Sequence, residues 1–115
     1  MAWVRLSGAL RAFQAFEMYA EMLGCLEDLA DLLHVRGIPD DAACLYAAVE
    51  RLREGLALSR PPRFEVRRKE RIGILRRALG NASFDAAWAE GRSWGIEQTI
   101  RRALSSPPTR EAAAA

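Results

Sequence analysis

The stretch from Glu17 to Leu58, EMYAEMLGCLEDLADLLHVRGIPDDAACLYAAVERLREGLAL, decides the fold. It reads as two amphipathic helices joined at Gly37-Ile38-Pro39. In the first, Glu17 to Arg36, the residues Tyr19, Met22, Leu23, Leu26, Leu29, Ala30 and Leu33 recur at helical steps and make an apolar stripe, which Leu32 widens. Glu17, Glu21, Glu27, Asp28 and Asp31 lie off that stripe. His34 and Arg36 complement the dipole at the helix end, and Gly37 suits the position just beyond it. Pro39 fits the first position of the next helix, where its missing N–H would be unpaired anyway. Asp40 and Asp41 then add favourable negative charge to the first turn. Leu45, Val49, Leu52 and Leu56 form the inner stripe of the second helix, with Ala48 allowing close approach. Glu50, Arg51, Arg53 and Glu54 are predicted on its solvent side. So short a joint between two long helices forces an antiparallel hairpin.

Upstream, Trp3, Leu6, Leu10, Phe13 and Phe16 keep to one helical face, interrupted at Ser7-Gly8. Either Ser7 caps a helix starting at Ala9, or a helix from Trp3 carries Gly8 at about 1 kcal/mol. Downstream, Ser59-Arg60-Pro61-Pro62 breaks the chain. A helix resumes near Arg63–Glu65 and runs to Leu79, with Ile72, Leu75 and Leu79 inward. Gly80 stops it. Ser83 caps a short helix from Phe84 to Glu90, and Gly91 ends that one. A last helix after Gly95 turns Ile96, Ile100 and Leu104 inward. No stretch alternates as a strand would. The expected fold is all-α, an antiparallel hairpin extended by shorter helices: one domain over residues 1–104, with 105–115 as a flexible tail.

The composition suits a soluble globular chain. No apolar run approaches the roughly 20 residues that span a bilayer, and the N-terminus lacks the pattern of a secretory signal. The expected location is cytoplasmic. Cys25 and Cys44 form no CxxC and have no histidine at metal spacing, so they read as two buried thiols. No cofactor or metal is expected. Charge is uneven. Residues 1–58 hold five arginines and nine acids, a net of −4, and residues 59–115 hold twelve basic residues and six acids, a net of +6. The halves attract each other, within one molecule or between two.

Two segments carry a family resemblance. One is Leu45-Tyr46-Ala47-Ala48-Val49-Glu50-Arg51-Leu52-Arg53-Glu54. The other is Leu79-Gly80-Asn81-Ala82-Ser83-Phe84-Asp85-Ala86-Ala87-Trp88-Ala89-Glu90-Gly91-Arg92. Over residues 17 to 104 the chain resembles the C-terminal helical region of large bacterial transcriptional regulators. Those proteins join an ATPase module to a tetratricopeptide-like (TPR-like) array and often a LuxR-type DNA-binding domain. Ile96-Glu97 stands where the family opens its last helix with Leu-Glu, and Gly95 stands where it usually offers a Ser cap. The Gly-rich phosphate loop is absent, as is the DNA-reading domain. The resemblance therefore implies a scaffold or protein-binding role, not the ATPase or the reader.

An end piece of a helical array lacks the repeats that would cover its first helix. The protein-binding candidates are thus Trp3, Leu6, Leu10, Phe13 and Phe16, together with the groove beside Glu17–Leu58. A homodimer through the first helix is expected; a monomer by light scattering across micromolar concentrations excludes it. The alternative is nucleic-acid binding by the basic stretch Arg60, Arg63, Arg67, Arg68, Lys69 and Arg71, continued by Arg76 and Arg77. Arg63, Arg67 and Arg71 align at steps of four. The same stretch equally reads as a solvated face, or one paired with the acidic half. Binding to nucleic acid requires retardation of DNA or RNA at low salt. Catalysis is not expected. No nucleophile stands beside a base, His34 lacks a patterned partner, Asp40-Asp41 lack further ligands at loop spacing, and Trp88 and Trp94 read as core rather than as a cage.

Overall fold

In the computed structural model, which describes residues 2–58 and 62–105, the fold is all-α. The described residues form α1 (Ala2–Ala15), α2 (Tyr19–Val35), α3 (Pro39–Leu56), α4 (Pro62–Leu79), α5 (Asn81–Arg92) and α6 (Ile96–Ser105). The expected hairpin of α2 and α3 is present. Arg53 meets Glu27 at 2.7 Å, and the Tyr46 hydroxyl donates to Asp31, so the two helices run antiparallel. Their joint closes as anticipated. Gly37 takes φ +81, and the Ile38 N–H reaches back to the Leu33 carbonyl at 2.9 Å.

α1 forms a second antiparallel hairpin with α2. It runs unbroken through Ser7-Gly8, and the buried Cys25 thiol donates to the Leu6 carbonyl at 3.1 Å. Its end is sealed by the same kind of turn, in which Met18 N–H bonds the Phe13 carbonyl at 2.9 Å. Here Glu17, not glycine, holds the left-handed position at φ +54. For that reason α2 begins at Tyr19 rather than Glu17.

α3 is the central helix. It packs on α2, α4, α5 and α6. Every residue from Ala42 to Val49 is buried, as expected of a helix surrounded by protein. Its alanines let neighbouring backbones come close. A one-sided inner stripe therefore understates α3; on the predicted solvent face Arg51 and Glu54 are exposed, while Glu50 and Arg53 are half-buried. Glu50, Arg53 and Glu54 meet ions from other helices, and Arg51 donates to the Trp94 carbonyl at 3.4 Å. At the other end of the expected stripe, Leu56 is 42% exposed.

Gly91 is a second correction. It does not end a helix. α5 starts at Asn81 and runs past Gly91 to Arg92. A side chain at Gly91 would stand 2.8 Å from the Cys44 Cα and carbonyl carbon, so glycine is what lets α5 lie directly on α3. The Cys44 thiol donates to the Ala87 carbonyl at 3.3 Å along this contact. Phe84 is buried there and stacks on Trp88 with centroids 5.4 Å apart. Trp94, rather than Trp88, is the fully enclosed tryptophan, and Arg102 lies over its ring. Ser105, expected to begin the tail, instead ends α6; residues 106–115 and 59–61 fall outside the described residues.

Candidate functional site

The basic stretch does not form one outward stripe. Arg60 falls outside the described residues. Arg63 is exposed and lies 4.9 Å over the Phe64 ring, and Lys69 is exposed. Arg68 is turned inward, with 9% of its side chain exposed, and meets Glu50 at 2.5 Å and Glu65 at 3.3 Å. Arg71 meets Asp31 at 2.8 Å. Farther along α4, Arg76 meets Asp85 at 3.1 Å and lies over the Phe84 ring. The acidic and basic halves thus attract each other within one molecule. Helix periodicity could align Arg63, Arg67 and Arg71, but it could not say that acids of α2 stand across from that row.

The five apolar residues of α1 also separate. Leu10 is fully buried in the core, which removes it from any partner-facing surface; α1 folds back on α2 and consumes it. Trp3, Leu6 and Phe13 are half-buried against the same core. Phe16 is 77% exposed in the turn to α2.

What α1, α2, α3 and α4 leave between them is a half-open cleft of about 660 Å³. Leu6, Ala9 and Phe13 of α1 form one wall, and Phe64, Arg67, Arg68 and Arg71 of α4 form the other. Along α2 the floor is Glu21, Gly24, Cys25, Glu27, Asp28 and Asp31, and α3 adds Tyr46 and Arg53. The volume lies in the range of ordinary ligand sites. The cleft adjoins the Glu17–Leu58 hairpin, where a contact groove is expected. Its own determinants, Glu21, Gly24, Asp28 and Phe64, were not singled out by the sequence. A lone glycine inside a strongly helical pattern was the one available signal.

The cleft has an acidic floor, an apolar wall from α1 and a wall from α4 that carries Phe64 with three arginines. Burial pushes the Asp31 carboxyl above its ordinary range, against the pull of Arg71. Asp28 is raised chiefly by burial and then by the neighbouring Glu27, with Arg67 and Arg71 opposing. The Cys25 thiol is pushed up to about 11 by burial and by Asp28, and Cys44 to about 11, chiefly by burial. Both cysteines are free thiols, and these values keep them protonated and weakly nucleophilic at neutral pH. Among the described residues no group of histidine, cysteine and acid side chains has the arrangement to hold a metal ion. Among them, too, no helix is long and apolar enough to cross a membrane.

Comparison with known proteins gives no match: no family model, curated protein or solved structure corresponds to this chain.

Proposed function

We propose that this chain is a non-catalytic protein–protein interaction module. In this reading it is a scaffold or regulatory piece of the kind that ends the TPR-like array of a transcriptional regulator. The observation that carries the reading is the cleft. It is bounded by four helices and open on one side, with Leu6, Ala9 and Phe13 on one wall and Phe64 among the arginines of the other. Phe64 is 44% exposed at its edge, and aromatic side chains at a partly open apolar groove are common anchors for another protein. The thiols near 11 favour the non-catalytic side of the reading, since neither is a ready nucleophile.

Nucleic-acid binding ranks second. Arg68 and Arg71 already have carboxylate partners, and any phosphate would have to compete with them.

A photo-crosslinking residue placed at Phe64, and in a control chain at exposed Ala82 on α5, tests the interaction reading in the native cell. A discrete protein adduct is expected from position 64 and not from position 82. The same adduct pattern from both positions, or none from either, rejects the cleft as the contact surface.

A further inference from the structure

The floor of the cleft has a spacing that selects its occupant. Glu21, Gly24 and Asp28 all line it. Steps of three and four place them in one row along α2. Seven residues at helical rise separate the two acids by about 10 Å along the axis. Between them Gly24 leaves bare backbone, with nothing within 4 Å of where a Cβ would stand. Phe13 and Phe64 belong to the walls on either side of this row.

Four acids and four arginines line the cleft, and the ion pairs among them and with their neighbours leave the row's two acids, Glu21 and Asp28, against one further arginine, Arg67. Glu27 is held by Arg53 at 2.7 Å and Asp31 by Arg71 at 2.8 Å. Arg68 is engaged by Glu50 and Glu65, which do not line the cleft. Arg67 and Arg71 on the opposite wall lower the Asp28 carboxyl less than burial and Glu27 raise it. Glu21 is exposed at the α1–α2 end of the row.

We propose that the cleft receives an amphipathic helix of a partner protein. That helix bears two basic side chains seven residues apart and a large apolar side chain between them. The proposal rests on the protein-interaction reading above. The two cations meet Glu21 and Asp28, and the apolar side chain seats on Gly24 between Phe13 and Phe64. Three turns of a helix about 10 Å wide occupy roughly 1,200 Å³. A cleft of about 660 Å³ therefore takes in one face and leaves the other in water.

Three fluorescein-labelled helical peptides of about four turns test this against the full chain by anisotropy. One carries two lysines seven residues apart with a leucine between them. A second has both lysines replaced by glutamate. A third has the composition of the first with the lysines three residues apart. The first is expected to bind saturably, and the other two at least about ten-fold more weakly. Gly24→Leu, whose Cβ meets nothing within 4 Å and whose side chain then occupies the floor, is expected to abolish binding while retaining helical circular dichroism. Combining Glu21→Lys with Asp28→Lys is expected to reverse the preference toward the glutamate peptide. The proposal is overturned by equal binding of the three peptides, by no saturation in a millimolar titration, or by unchanged binding to Gly24→Leu. It also falls if the charge-swapped chain keeps the original preference. If the Phe64 adduct forms and Gly24→Leu removes it while the peptides are not discriminated, the interaction reading stands and the cation spacing falls. If neither the adduct nor peptide binding is found, both fall.

Discussion

The α2–α3 hairpin is closed on one side and open on the other. On the closed side α5 lies so near α3 that Gly91 has no room for a side chain beside Cys44, and Phe84 and Leu75 fill what remains. On the open side α1 and α4 flank the hairpin without closing over it. The space between them is lined by Glu21, Glu27, Asp28 and Asp31 facing Arg67, Arg68 and Arg71. Small residues let backbones meet and exclude water. Long charged residues hold helices apart, because their head groups need partners or solvent. The same hairpin thus supplies a packed core and a wet groove, according to which residues its neighbours present.

The largest test of the difference is at the closed side. Gly91→Ala should cost about 3 kcal/mol, because backbone rather than a movable side chain is in the way. An urea melt showing a loss under about 0.5 kcal/mol would mean that α5 lies farther from α3 than the structure places it. Arg68→Ala comes next. It removes the arginine that meets half-buried Glu50 and should cost about 2 kcal/mol, reduced from the fully buried case because Glu50 is 28% exposed. The exposed pair of Arg92 with Glu54 is the internal control, and Arg92→Ala should cost well under about 1 kcal/mol. Equal effects from the two arginines would erase the distinction between the structural and the solvated charges.

Smaller effects probe the open side. Gly24→Ala should stabilise the chain by about 1 kcal/mol, since it favours helix and meets nothing. A destabilised Gly24→Ala would show that the cleft floor is packed in solution. Asp28→Asn tests the charge on that floor. The Asp28 carboxyl is raised in the fold, so its native form holds a proton more readily than the unfolded form. The sign follows from linkage: this acid weakens the fold as pH rises through the interval from its ordinary value of 3.8 up to its raised one. Asp28→Asn should therefore raise the melting temperature at neutral pH and give little gain below that interval. A lower melting temperature at pH 7 would mean that Asp28 is already satisfied by Arg67.

Much of this was legible locally. The hairpin turn followed from Gly37 and Pro39, whose backbone preferences act within a few residues. The inward face of α4 followed from Ile72, Leu75 and Leu79, and that of α6 from Ile96, Ile100 and Leu104. The failures share a cause. Gly91 looks like a helix stop when only its neighbours in sequence are considered, yet it serves a contact with Cys44. For Arg68 and Arg71 the sequence left a solvated face and pairing with the acidic half equally open, because their partners Glu50 and Asp31 come from other helices. Leu10 looks available to a partner only while the packing of α1 on α2 is unknown. The cleft was anticipated as a groove beside the hairpin but without residues, because it is bounded by segments distant in the chain.

By itself, then, the sequence determined the all-helical class, the α2–α3 hairpin and the separation of acidic from basic halves. Each depends on periodicity, turn chemistry or composition, which are properties of short stretches or simple sums. Only the tertiary structure decided that α3 is buried all round from Ala42 to Val49, that ion pairs join the two halves within one molecule, and that a cleft with Glu21, Gly24 and Asp28 along its floor remains open. Those outcomes depend on which faces come together in space, and helix periodicity marks a face without naming its neighbour.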